Sequence, residues 1–160
     1  MKTISSRWPG VWLLGLALVT TPPLIAQDTH EAIAVAEPLT YAVVYSDSAG
    51  QSHFADRQVD FKLIDYAPPA PPISVSQSTP ADGIAYLSSP AGWTGDWHPA
   101  PRRQMILCLS GEVEVEVSDG EVRTFGPGAL LLVEDTIGSG HITRVVGTGR
   151  AYLAAVPFPD

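Results

Sequence analysis

Cysteine is almost missing from these 160 residues: Cys108 is the only one. A lone thiol excludes an internal disulfide framework and any zinc site built on several thiolates. Charge is scarce as well, 16% against about 25% in ordinary domains. Basic residues are the scarcer kind, nine Lys and Arg facing 17 Asp and Glu for a net charge of −8. With that sign there is no electrostatic source of attraction to a phosphate backbone, and nucleic acid is not an expected partner. Long apolar runs are lacking too. Val11 to Val19 is an uncharged stretch that rises only ~14 Å as a helix, too short for a hydrocarbon core of roughly 30 Å.

What precedes and follows that stretch gives it a meaning. Lys2 and Arg7 come first, then the apolar run, then Thr20-Thr21-Pro22-Pro23 and the small residue Ala26. Basic, apolar and small residues in that order read as a secretory signal peptide over residues 1–26, cleaved after Ala26, with Ala34 and Ala36 as alternative sites. No Cys follows the run, which excludes a lipoprotein anchor. Removing Lys2 and Arg7 takes the net charge from −8 to −10. The expected product is periplasmic or secreted, with no membrane attachment once the signal is gone.

Proline (15) and glycine (14) are abundant, a balance that suits strands joined by turns. Residues 27–40 read as a flexible arm. From Tyr41 onward, short runs of period-two apolar residues predict strands at Tyr41–Tyr45, Val59–Tyr66, Ile84–Leu87, Met105–Leu109 and Val113–Val117. Four more are expected at Val122–Phe125, Ala129–Val133, Ile142–Val146 and Ala151–Val156. Turn residues such as Asp82-Gly83, Asp119-Gly120 and Gly126-Pro127-Gly128 separate them. Nine short strands in a small domain imply an all-β sandwich or barrel, because one open sheet would leave an apolar face exposed. Residues 41–92 are expected to hold N-terminal strands and a stiff proline connection (68–72) leading to a barrel core at 93–160.

One hairpin is specific enough to write out. A two-residue Asp119-Gly120 turn places Val117 opposite Val122 and Val115 opposite Thr124, all facing inward, with Glu116 across from Arg123 on the wet side. Glu112, Glu114 and Glu116 are then the solvent face of a strand.

Four histidines are the natural candidates for chemistry. His30 falls in the arm, and His53, just after a turn, reads as a structural imidazole bonded to backbone. His98 and His141 differ: each ends an aromatic- or glycine-rich approach to a strand, Trp93-Thr94-Gly95-Asp96-Trp97-His98 and Gly138-Ser139-Gly140-His141. Two imidazoles from neighbouring strands of a closed barrel can converge on one point.

The stretch from Trp93 to Pro157 resembles the cupin superfamily. Its first motif carries His-x-His, then Glu, then Gly; His98 and Gly111 match the first histidine and the closing glycine, Gln104 stands at the glutamate and Ala100 at the second histidine. In the second motif, Gly138 and His141 match, whereas Thr136 replaces the proline and Val145 the asparagine. The resemblance implies a double-stranded β-helix, or jelly-roll barrel, with an N-terminal strand extension. It also implies a family in which three histidines and a glutamate hold a divalent transition metal, and which includes dioxygenases, isomerases, decarboxylases, storage proteins and sugar-binding modules.

Two of those four ligands are present here. A site of His98, His141 and the neutral amide of Gln104 has lost one donor and one negative charge. Asp96, Glu134, Asp135 and His53 are replacement donors to consider. Two readings follow. In the first, an exported barrel binds an acidic or carbohydrate-like small molecule through Trp97, His98, Gln104 and His141, without a metal. In the second, His98, Gln104 and His141 hold one divalent transition metal in a dioxygenase- or isomerase-type enzyme. Trp93 and Trp97 with Arg102, Arg103 and Arg144 form either an aromatic mouth with guanidinium forks or a barrel-end cover with arginines paired to surface acids. Cys108 reads as a buried, inert thiol. Homodimerisation by sheet extension through residues 41–66 is left open.

Overall fold

Strict alternation is clearest in Glu112–Val117, where the three valines are buried and the glutamates between them are not. The same pattern, weaker elsewhere, builds the whole structure, a computed structural model that describes residues 34–159. Eleven strands occur there: β1 Leu39–Ser46, β2 Ser52–Val59, β3 Lys62–Ile64, β4 Ile73–Val75, β5 Ala85–Ser89 and β6 Gln104–Ser110. The others are β7 Glu112–Val117, β8 Val122–Phe125, β9 Leu130–Val133, β10 His141–Val146 and β11 Ala151–Pro157. No helix forms among the described residues. The expected all-β class is the class found; the expected signal segment and His30 lie outside the described residues.

Two sheets face one another. The larger has the order β2-β1-β9-β6-β11-β5, the smaller β10-β7-β8, and β3-β4 make a separate pair. Every pairing is antiparallel except β1 with β9, where Ala42 to Val44 run parallel to Leu131 to Val133. The core joins the inner faces: Val113, Val115, Val117, Phe125 and Val145 of the small sheet pack with Ala42, Val44, Phe54, Leu131, Val133 and Ala151 of the large one. Each such valine contributes roughly 1.5–3 kcal/mol by leaving water. Val43 and Leu132 point the other way, into a second cluster under Phe158. β1 and β9 therefore bury both faces, which is why they read as continuous apolar runs.

Several expectations are corrected. Val59–Tyr66 is not one strand: Val59 ends β2, and only Lys62–Ile64 forms β3. β2 itself, Ser-His-Phe-Ala-Asp-Arg-Gln-Val, carries no apolar alternation; an eight-position ladder with β1, from Leu39↔Val59 to Ser46↔Ser52, holds it in place. Leu39 and Thr40, expected in the arm, begin β1. The proline tract joins β3 to β4 rather than an N-terminal pair to a barrel. Residue 93 is also no boundary between sheets, since β1, β2 and β5 share one sheet with β6, β9 and β11.

The β7–β8 hairpin is shifted by one residue from expectation. Val115 lies opposite Arg123 and Glu116 opposite Val122. The cause is a three-residue turn, Ser118-Asp119-Gly120, in which Val117 N–H donates to the Glu121 carbonyl (3.0 Å) and Gly120 has φ +95°. A one-residue slip reverses the faces, so Val122 is 46% exposed and Arg123 lies over the Phe54 ring. Glu116 accepts from Arg144 (2.7 Å), as does Glu114 (3.2 Å), while Arg123 pairs with Glu121 and Asp56. Gly111 also has a structural reason: at φ +76°, a Cβ there would come within 2.7 Å of the Ala151 Cα.

Candidate functional site

Between the sheets lies a cavity of about 170 Å³. Its walls are Leu87 and Ser89 of β5, Gln104 and Ile106 of β6, Val113 and Val115 of β7, Leu131 and Val133 of β9, Thr143 of β10, and Leu153 of β11. Trp93, His98, Pro101 and His141 complete them.

The two motif histidines meet here. The segment before β6 is stitched along β10: Gly95 N–H donates to the Thr143 carbonyl (2.9 Å), and Val145 N–H to the Trp93 carbonyl (2.8 Å). The stitching ends in a reciprocal pair, His98 N–H to His141 O at 3.1 Å and His141 N–H to His98 O at 3.0 Å. The rings then face each other with centroids 4.9 Å apart and planes at 50°. Gly140 permits this approach. Its φ is +69°, and a Cβ on it would collide with the His98 carbonyl.

Hydrogen bonding fixes which ring nitrogens carry protons. His98 Nδ1 lies 2.8 Å from the Asp96 carbonyl oxygen, which can only accept, so Nδ1 is the donor. His141 Nδ1 donates to Asp135 Oδ2 at 2.7 Å. Asp135 is fully buried, and its Oδ1 has no hydrogen-bond partner among the described residues. Both imidazoles thus spend Nδ1 on the protein and keep Nε2 for the cavity they line, as oriented imidazoles commonly do. His98 is exposed at the rim and His141 is 7% exposed.

The structure brings His98, Gln104 and His141 to one cavity and leaves Trp97 out of it. Trp97 is 46% exposed and does not line the walls; Trp93 does. The guanidinium forks are absent as well. Arg102 reaches Asp82 (3.7 Å), Arg103 reaches Glu134 (3.2 Å) and stacks on Phe158, and Arg144 holds the β7 glutamates. Glu134 is shared between Arg103 and Arg57. Although its partial burial opposes ionisation, these two arginines hold its carboxyl below the usual range. Ala100, at the second histidine's place, is a core residue 3% exposed. Cys108 is buried, and desolvation pushes its thiol up, as expected of an inert one.

His53 is elsewhere. It bridges two turns, with Nδ1 2.6 Å from Asp119 Oδ2 and Nε2 3.2 Å from Asp47 Oδ2. The expectation of a structural imidazole is right in kind, but its partners are carboxylates rather than backbone. From the sequence Asp135 is considered only as a replacement metal donor, not as the partner of His141. Its signal was its position in the loop six residues before His141, a separation that only the folded loop converts into contact.

The donor set decides how a metal of the family's kind would fare. Among the described residues, no group of three or more His, Cys, Asp or Glu is placed to hold an ion. The cavity offers two imidazole nitrogens and one neutral amide, and Asp135 is committed behind His141 instead of lining it. Three imidazoles and a carboxylate are not available, and the residues present do not fit that group. They suit a small polar group: two imidazole Nε2 atoms beside an amide that both donates and accepts.

No protein-family model matches the chain, and no curated protein matches it. Among solved structures, it is similar to a conserved protein of unknown function from Streptococcus pyogenes (21% identity, TM-score 0.39, covering 54% of this chain and 71% of that one). It is also similar to a Cupin 2 conserved barrel domain protein from Salinispora arenicola (18%, TM-score 0.41, 63% and 76%). An RmlC-like cupin protein from Desulfovibrio desulfuricans is a third (15%, TM-score 0.35, 84% and 97%). Two of the three are named as cupin proteins.

Proposed function

We propose that this chain is a metal-independent barrel that binds a small molecule between its two sheets, with the polar end on His98, His141 and Gln104 and the rest on aliphatic walls. The observation that supports it is the orientation of the histidine pair. Buried Asp135 holds His141 at 2.7 Å, His141 and His98 are joined backbone to backbone, and both free nitrogens belong to one cavity. Such a mostly apolar cleft with a few convergent polar groups is the usual form of a ligand site.

The walls redirect the expected ligand class. A carbohydrate would set several hydroxyls against Val113, Val115, Leu131 and Leu153, each unpaired one costing about 1–3 kcal/mol. Among the described residues, no Lys or Arg lines the cavity to receive an acid. The ligand is therefore predominantly apolar.

The competing reading is a dioxygenase- or isomerase-type enzyme with one divalent transition metal on His98, Gln104 and His141. Metal analysis of untagged protein after reconstitution separates the two: less than ~0.1 equivalent of any transition metal is expected from a two-imidazole donor set. A stoichiometric ion that is lost in His141→Ala overturns the metal-independent reading. Export to the periplasm or medium is proposed on residues 1–26 alone. Mass spectrometry of the cell-produced protein should find Gln27 as the first residue, and an intact Met1 in the soluble cytosol overturns it.

A further inference from the structure

We infer that the molecule taken into this cavity is an uncharged monocyclic phenol, its hydroxyl on the His141–His98 pair and its ring among the aliphatic walls. The inference rests on the proposed small-molecule reading and names the ligand class for that site.

The strand register sorts polarity along the cavity. On the small sheet, His141 lies opposite Val117, Thr143 opposite Val115 and Val145 opposite Val113. On the large sheet, Gln104 lies opposite Val133, Ile106 opposite Leu131, and Cys108 opposite Leu153. The imidazoles and the amide thus belong to one end, and two to four residues further along, about 7–13 Å at strand rise, the walls are aliphatic except at Thr143 and Ser89. A ligand matching this has a polar head of one or two atoms and an apolar body.

Size selects the body. The volume is about 170 Å³, and an engineered apolar cavity of about 150 Å³ takes up benzene. One six-membered ring with a small substituent fits; two fused rings do not.

Charge and hydrogen bonding select the head. An anion would enter without a cationic wall residue and would approach the buried Asp135 carboxylate behind His141, and a buried charge without a partner is expensive. A cation would exchange water for aliphatic walls. Nδ1 of each histidine faces a protein acceptor, which leaves Nε2 to the ligand; an imidazole in that tautomer accepts at Nε2, and a head that donates is its match. A phenolic O–H donates to His141 Nε2, while its oxygen accepts from the Gln104 amide. An alkane or arene without the hydroxyl leaves all three groups unpaired.

The test uses untagged, chelator-treated full chain titrated with 4-methylphenol, toluene, benzoate and benzylamine, read by calorimetry and by tryptophan fluorescence, since Trp93 lines the cavity. We expect 1:1 binding of 4-methylphenol and at least about tenfold weaker binding of toluene, the loss that follows when a buried hydrogen bond goes unmade. Benzoate and benzylamine should be weaker still. His141→Phe should remove the preference for 4-methylphenol over toluene while retaining the ring; Gln104→Leu should narrow it. Toluene binding as tightly as 4-methylphenol, or benzoate or benzylamine binding more tightly, overturns the phenol assignment and leaves the small-molecule reading intact. Failure of all four to bind overturns both.

Discussion

His53 and His141 each sit beside a carboxylate, one across the turns and one inside the barrel, and they differ in what is left over. His53 has both ring nitrogens engaged, by Asp119 and Asp47, and so functions as a latch between the β1–β2 and β7–β8 turns. His141 has one engaged, by an aspartate whose side chain has no other hydrogen-bond partner among the described residues. The number of partners, more than burial or sequence neighbourhood, separates a histidine that holds structure from one that can hold a ligand. The clusters also touch. Ser52, beside the latch and fully buried, donates its hydroxyl to the Gly140 carbonyl at 2.5 Å, and it exchanges hydrogen bonds with Ser118. The outer turns therefore brace the residue that precedes His141.

Substitutions can break this contrast at graded strengths. Gly140→Ala should be the most damaging, because it puts a Cβ into the His98 carbonyl at a positive φ; a loss of roughly 3 kcal/mol in urea unfolding is expected. Ligand binding should go with it, and near-native stability would mean that the histidine bridge is not tight. Next comes Asp135→Asn. The amide oxygen can still accept from His141 Nδ1, but its NH₂ gains a buried place where Oδ1 had no partner, for about 1–3 kcal/mol. Binding should weaken while the latch is untouched; unchanged calorimetric affinity would remove Asp135 from the site.

The latch itself should show in pH dependence rather than in binding. Hydrogen bonds to Asp47 and then Asp119 raise the His53 pKa above 6.5. Asp47 and Asp119 are lowered below 3.8, chiefly by the backbone amides of Gln51 and Glu121, with His53 adding to each. A raised histidine contributes stability that is complete below its unfolded value and fades as pH rises through the folded one. Lowered carboxylates contribute above their unfolded value and fade as pH falls through the folded ones. The latch is therefore strongest between the ordinary values of 3.8 for an aspartate and 6.5 for a histidine. The melting-temperature gap between the native chain and His53→Gln should be wider at pH 5 than at pH 8.5. Equal gaps would show that His53 is not charged in the folded state. The smallest effect belongs to Trp97→Ala, which should leave 4-methylphenol affinity unchanged; Trp93→Ala, by contrast, should weaken it.

Much of the fold was legible because one-sided burial imposes its period on sequence. Val113, Val115 and Val117 announced β7, and Ala151–Val156 announced β11. β2 was illegible because an edge strand held by its backbone ladder needs no apolar face. The hairpin register failed for a smaller reason: Asp119-Gly120 is compatible with a two- or a three-residue turn, and only Ser118, bonded to Ser52 from another strand, decides between them. At the site, His98, Gln104 and His141 were legible as residue types at a spacing. Trp97 was misplaced because its neighbour Trp93 satisfies the same composition from the other end of the segment.

The sequence alone determined the all-β class, the pair of histidines worth examining and the shortage of metal donors, because apolar period and donor identity are properties of the chain itself. The tertiary structure decided that Asp135 stands behind His141, that β5, ahead of residue 93, walls the same cavity, and that none of the described arginines enters it. Those are distances in space, fixed by the path of one turn, by which strands pair and by the glycines that let backbones approach.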